Sequence, residues 1–162
     1  MIISAHQPNE TLGAILKECY YLQLDANVEP RRIPVIDDCC YDLVFFKEAS
    51  GAFYFGEDSR KVAIRSKVFT IHNVTPPYRI EAADSLTFFT IKLQPWANAH
   101  FFSSLQKSGV VDIADVQLLS FHEKVFETEG VPDKFSLAEQ FMTDKMVELT
   151  PSMELVRELC NY

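Results

Sequence analysis

Residues 86–93 read Leu86-Thr87-Phe88-Phe89-Thr90-Ile91-Lys92-Leu93. The run is nearly continuously apolar and rich in aromatic and β-branched residues, so it predicts a central strand with protein on both faces. Working outward, residues 20–24, 41–47, 52–55 and 62–71 carry the same enrichment. Turn formers separate them: Ser50 with Gly51, the run 56–59, and Pro76 with Pro77, which cannot donate to a ladder. Within 62–70, Val62, Ile64, Ser66, Val68 and Thr70 alternate with Ala63, Arg65, Lys67 and Phe69, the pattern of one strand with a wet face. Short strands at this spacing predict a sandwich or barrel.

After Pro95 the spacing turns helical. Residues 97–107 predict a short helix bearing His100, Phe101 and Leu105. Residues 112–128 carry Ile113, Val116, Leu119 and Val125 in an approximate stripe, ended by Gly130 and Pro132. Ser136 and Glu139 read as a capping box heading a helix over 135–149, with Ala138, Phe141, Met142 and Leu149 on one face. Thr150 before Pro151 reads as an N-cap and first-turn proline of a last helix through Met153, Val156, Leu159 and Cys160. That helix meets no stop signal before Tyr162, so the chain is expected to continue. The expectation is one α+β domain over 1–162, mainly β to residue 95 and mainly helical from 96.

Composition narrows the function classes. The 162 residues are 48% hydrophobic, 12% aromatic and 23% charged, enough apolar surface for a core. Fifteen Lys and Arg against 23 Asp and Glu leave a net charge of −8, which opposes direct contact with nucleic acid or anionic lipid. With no apolar run near the roughly 20 residues of a membrane span and no secretory signal at the N-terminus, a cytoplasmic chain is expected. Cys19, Cys39, Cys40 and Cys160 form no CxxC and read as reduced, mostly buried thiols. His6, His72, His100 and His122 lie far apart, and the five glycines form no phosphate-binding loop, so no metal or other cofactor is called for. No GxSxG elbow is present.

Asp37 and Asp38 read as turn residues entering the strand at Tyr41. Asp42 is different: period 2 places it on the face of Val44 and Phe46, where a carboxylate needs a donor, either an internal partner such as Arg65 or a backbone N–H, or a ligand. Trp96, at the strand-to-helix corner, reads first as a core residue. The aromatic strands could leave an apolar pocket with few polar anchors.

The order of segments carries a resemblance. RRIPVIDDCCYDLVFF (31–46), FFTIKLQPWANAHFF (88–102) and VVDIADV (110–116) together resemble the N-terminal sensor domain of AraC-type transcriptional regulators, over most of residues 10–128. Ile33 and Pro34 match the first two positions of a Leu-Pro-Asp-Gly-x-x-Asp-Leu-like turn and strand, and Asp42 and Leu43 the last two. Residues 35–40 replace its tight turn with a longer one. Residues 88–95 resemble the family's strand that runs into a helix at proline.

The resemblance implies a cupin-like β-barrel followed by helices that mediate homodimerisation, and the surplus of apolar residues in 112–128 and 135–149, beyond what one sheet face can cover, points to those two. It also implies DNA contact only through a helix-turn-helix domain not in this chain. The barrel would hold a small-molecule effector of apolar or aromatic character, with Asp42, Phe46, His72, Phe89 and Trp96 as the candidate ligand-binding residues and no catalytic residue. Two other readings stand beside it: a stand-alone cupin-like isomerase or lyase, and an interaction module with no pocket.

Overall fold

The computed structural model describes residues 1–25, 32–35, 38, 40–49, 51–55, 60–72, 78–81, 85–97, 109–145 and 150–160. Their strands are β1 (Ile2–His6), β2 (Leu16–Leu24), β3 (Arg32–Val35), β4 (Tyr41–Phe46), β5 (Ala52–Phe55), β6 (Arg60–Ala63), β7 (Val68–His72), β8 (Tyr78–Glu81), β9 (Leu86–Leu93) and β10 (Gly109–Asp112). Their helices are α1 (Glu10–Gly13), α2 (Val116–Glu127), α3 (Val131–Asp144) and α4 (Pro151–Cys160). The class is α+β. A six-stranded antiparallel sheet runs β1-β2-β9-β4-β7-β10 and a four-stranded one β3-β8-β5-β6, and among the described residues no strand of one pairs with a strand of the other.

Side-chain alternation divides the large sheet between two cores. Leu43, Phe45, Phe89, Ile91 and Leu93 point to one face and pack with Leu118, Phe121 and Val125 of α2, Phe135, Ala138 and Met142 of α3, and Met153 of α4. Val44, Phe46, Leu86 and Phe88 point to the other and pack with Tyr78 and Ile80 of the small sheet. The layers are therefore small sheet, large sheet, helices. Strand β9 lies between β2 and β4, the central place its composition predicts, with residue bounds as read from the sequence. Ring pairs extend through both cores, Phe45 edge-on to Phe121 at 5.0 Å and Phe46 edge-on to Phe69 at 5.0 Å.

Local chemistry sets the boundaries. Gly51, at φ 100°, makes the turn into β5 with a backbone that disfavours any other residue. The Asp115 carboxylate caps α2 by accepting from the Gln117 and Leu118 amides at 2.9 and 3.0 Å. Thr150 caps α4 as expected, its hydroxyl accepting from Met153 N at 3.3 Å. The His6 ring stacks on Phe135 at 5.2 Å and its Nε2 lies 3.0 Å from Glu139 Oε1, joining β1 to α3. No helix among the described residues is long and apolar enough to cross a membrane.

Several expectations need correction. The single strand over 62–71 is two, β6 in the small sheet and β7 in the large one, because the chain crosses between layers at 64–67. The wet face stops at Lys67, since Val68, Phe69, Thr70 and Ile71 are all buried. The helix over 112–128 starts only at Val116, because β10 holds Asp112 and Asp115 is the cap. Its buried stripe is therefore Leu118, Phe121, His122 and Val125, leaving Val116 76% exposed and Leu119 exposed. Ser136 and Glu139 form no capping box. Helix α3 begins at Val131, where Pro132 favours the first turn, Ser136 Oγ donates to Pro132 O, and Glu139 turns to β1. On α4 only Met153 is buried, while Val156, Leu159 and Cys160 are exposed. Residues 98–107 of the short-helix expectation, 146–149 of the next, Asp37 and Cys39 lie outside the described residues. Strands β1, β3, β8 and β10 and the short helix α1 escaped the sequence reading.

Phe89, fully buried against α2 and α3, gives the test of this layering. Phe89→Ala should cost about 3–5 kcal/mol and lower the melting temperature by about 10 °C, while Val116→Ala stays within about 0.5 kcal/mol. Thermal denaturation of both variants measures the contrast.

Candidate functional site

Register brings four residues of the large sheet into one row facing the small sheet: Glu18 of β2 opposite Lys92 of β9, Lys92 opposite Asp42 of β4, and Asp42 opposite Ile71 of β7. Neighbouring positions along these strands, Tyr20, Val44 and Phe88, share that face by period 2. Over them lies a cavity of about 440 Å³, roofed by Ile33, Tyr78 and Ile80 and lined at one edge by Ile3. Its size falls within the roughly 300–1,000 Å³ of small-molecule pockets, and its walls are apolar except at one end.

That end holds a linked set of charges. Asp38, just before β4, accepts from Lys17 Nζ at 2.7 Å and Lys92 Nζ at 3.0 Å through one oxygen, and from Cys40 N at 3.3 Å through the other. Lys92 Nζ lies 3.8 Å from Glu18 and 3.9 Å from Asp42, too far for hydrogen bonds. The Lys92 side chain is 11% exposed and that of Asp42 8%. Asp42 Oδ1 is buried and has no hydrogen-bond partner among the described residues.

Burial dominates the titration of this set. It pushes the Asp42 carboxyl up to about 7 against the pull of Lys92, with Asp38 and Glu18 adding to the rise. Burial also opposes ionisation of Asp38, but the two ammonium donors Lys17 and Lys92 outweigh it and hold that carboxyl at about 2. Burial lowers the Lys92 ammonium, yet Asp42, Asp38 and Glu18 together leave it raised. Burial pushes the Cys40 thiol up to about 11 and the Tyr20 hydroxyl upward. The result is an acceptor of variable charge beside a fixed cation at the end of an apolar space.

Of the sequence-derived candidates, Asp42 lines this cavity. Phe46 packs one layer along the same face, stacked on the cavity residue Phe88 at 5.5 Å. Phe89 and Trp96 do not join them. Phe89 faces the helices, and Trp96 packs against that core with its Nε1 donating to Ala14 O at 2.7 Å, so the core reading of Trp96 describes its place. His72 ends β7 opposite Gly109, and its side chain lies outside the described residues.

The expected partner Arg65 is exposed, and Lys92 takes its place because cross-strand register puts it opposite Asp42. Sequence reading missed Lys92, Tyr20 and Glu18, although a lysine at an alternate position of LTFFTIKL was a visible signal. Asp38 bonds to Cys40 N as a turn residue should and also binds both lysines. Cys19 and Cys40 are buried free thiols, as expected, while Cys160 is exposed.

Two other concavities are shallower in chemistry. One lies beside Lys61, Arg65 and Asp112, the other between α2 and α3. Neither contains a buried polar atom lacking a partner. Among the described residues no group of three or more His, Cys, Asp and Glu side chains is placed to hold a metal ion. No protein-family model matches the chain, and no curated protein matches its sequence.

The Asp42 carboxyl ionises near 3.8 in an unfolded chain and about 7 in the folded one. Between these values the native state holds the extra proton, so its contribution to stability falls as pH rises through that window and is most unfavourable above it. Asp38 acts oppositely: its contribution is present above 3.8 and is lost as pH falls toward about 2. Asp42→Asn should melt above the unaltered chain by roughly 5 °C at about pH 8, with the gap shrinking toward about pH 5. Calorimetry across that range decides it; a gap that ignores pH would mean the native carboxyl titrates at its ordinary value.

Proposed function

We propose that this chain is the ligand-sensing and dimerisation domain of a cytoplasmic AraC-type transcription regulator, acting on DNA through a helix-turn-helix domain that is not among these residues. The two sheets are read as opposite walls of a cupin-like barrel, with the intersheet cavity as its lumen. One observation carries the reading: a buried acceptor, Asp42 Oδ1, has an ion-pair neighbour in Lys92 but no hydrogen bond among the described residues, at the polar end of an otherwise apolar cavity. An unpaired buried carboxylate oxygen is costly to the fold, and a guest that supplies a donor there recovers the cost. An effector bound in this way stabilises one arrangement of the protein over another.

The outer surface of α2 and α3 supports the dimer. Val116 is exposed and lines a groove with Phe121, Leu137 and Phe141, and Leu119 is exposed on the same helix. A second copy would cover this apolar surface, and the acidic balance of the chain leaves promoter contact to the other domain.

A stand-alone enzyme is the second reading, favoured by one feature: a carboxyl raised to about 7 beside a lysine is suited to proton transfer. Recovery of the bound molecule separates the two, because a sensor returns it unchanged and an isomerase or lyase does not.

A thermal-shift screen of metabolites should find a compound that raises the melting temperature by about 5–10 °C at a hundredfold excess over Kd. It should be recovered intact. Light scattering should give twice the chain mass, and Val116→Glu with Leu119→Glu should return the monomer. A blank screen or turnover of the hit counts against the sensor, and a monomer at high concentration counts against the dimer.

A further inference from the structure

We infer that the intersheet cavity takes a small molecule with an apolar body and an uncharged hydroxyl head, the hydroxyl seated between Asp42 and Lys92. The inference rests on the sensing reading above and assigns its ligand class.

The body follows from the walls. Leu22, Val44, Ile71, Ile80 and Phe88 offer no hydrogen bonds, so only apolar surface is compatible with them. The head follows from the spacing of two groups. Asp42 Oδ1 is an acceptor with nothing to accept, and Lys92 Nζ stands 3.9 Å away. An ammonium has three N–H bonds, and among the described residues Lys92 donates only to Asp38. A hydroxyl oxygen at the normal distance of about 2.8 Å from each fits a gap of that width, accepting from Lys92 while donating to Asp42. It serves both groups at once.

Charges of both signs already face one another at this end. The groups facing this end are Lys17, Glu18 and Tyr20 from β2, Asp42 from β4, Lys92 from β9, Tyr78 from β8, and Asp38 and Cys40 from the segment before β4. An ammonium head would meet Lys92, and a carboxylate head would meet Asp42, Asp38 and Glu18. A neutral hydroxyl brings no further charge into the apolar space.

The test uses four probes of one shape on the whole isotope-labelled chain, followed by NMR: phenethyl alcohol, phenethylamine, hydrocinnamate and ethylbenzene. Phenethyl alcohol should bind about tenfold more tightly than the other three and move the amide signals of Asp42 and Lys92. Asp42→Leu should lose about tenfold in affinity for the alcohol and Asp42→Asn less, while Val156→Ala, exposed on α4, loses nothing. The ranking of probes on the unaltered chain needs no variant to fold. Equal or tighter binding of the amine or the acid overturns the hydroxyl assignment and leaves a sensing cavity. Undiminished alcohol binding by folded Asp42→Leu overturns it too. Silence of all four probes does the same, and joined to a blank metabolite screen it removes the sensing reading as well.

Discussion

Strands β4 and β9 have no solvent face, and the rest of the molecule is arranged around that constraint. Each residue along them must satisfy one of two separate interiors: Phe45 and Phe89 the helices, Phe46 and Phe88 the small sheet. A shift of one residue in their pairing would exchange the two sets. The register of Phe45 with Phe89 and Phe46 with Phe88 therefore fixes which side chains see α2 and α3 and which see the cavity. Burying four phenylalanines across one strand pair makes that choice strongly preferred over its alternatives.

The same constraint concentrates polarity in one place. On strands buried on both sides, a charged residue has no surface to reach, so Lys92 and Asp42 can coexist only as register partners on the same face. Asp38 completes the set from outside the sheet and holds the lysine, which leaves Asp42 the less satisfied member. The chemistry of the cavity is thus a by-product of sheet topology. Its apolar walls are core residues, and its reactive end is the point where the core runs out of hydrophobic side chains.

Much of this was legible in the chain itself. The two-sided burial of β9, the bounds of β5, the shared face of Asp42, Val44 and Phe46, and the Thr150 cap all follow from local patterns. What escaped depends on contacts distant in sequence. Periodicity could not show that 62–71 crosses between sheets, because both halves have strand composition. It set the α2 stripe out of phase because Asp112 belongs to a strand paired with Phe69, forty-odd positions earlier. The sensor-barrel resemblance gave Phe89 and Trp96 to the same pocket as Asp42, since aromatic content alone does not reveal which side of a sheet a ring occupies. The partner of Asp42 was missed for the same reason: register, not proximity in the chain, chose Lys92 over Arg65.

Strand β1 has a consequence of a different kind. Its residues alternate, so Ile3 lines the cavity while His6, a few positions on, reaches through to Glu139 on α3, the residue that also accepts from Asn9 N. This edge strand touches both the cavity and the helix layer. A guest of the proposed kind that pressed on Ile3 would press on the same backbone that carries His6 to the helix layer.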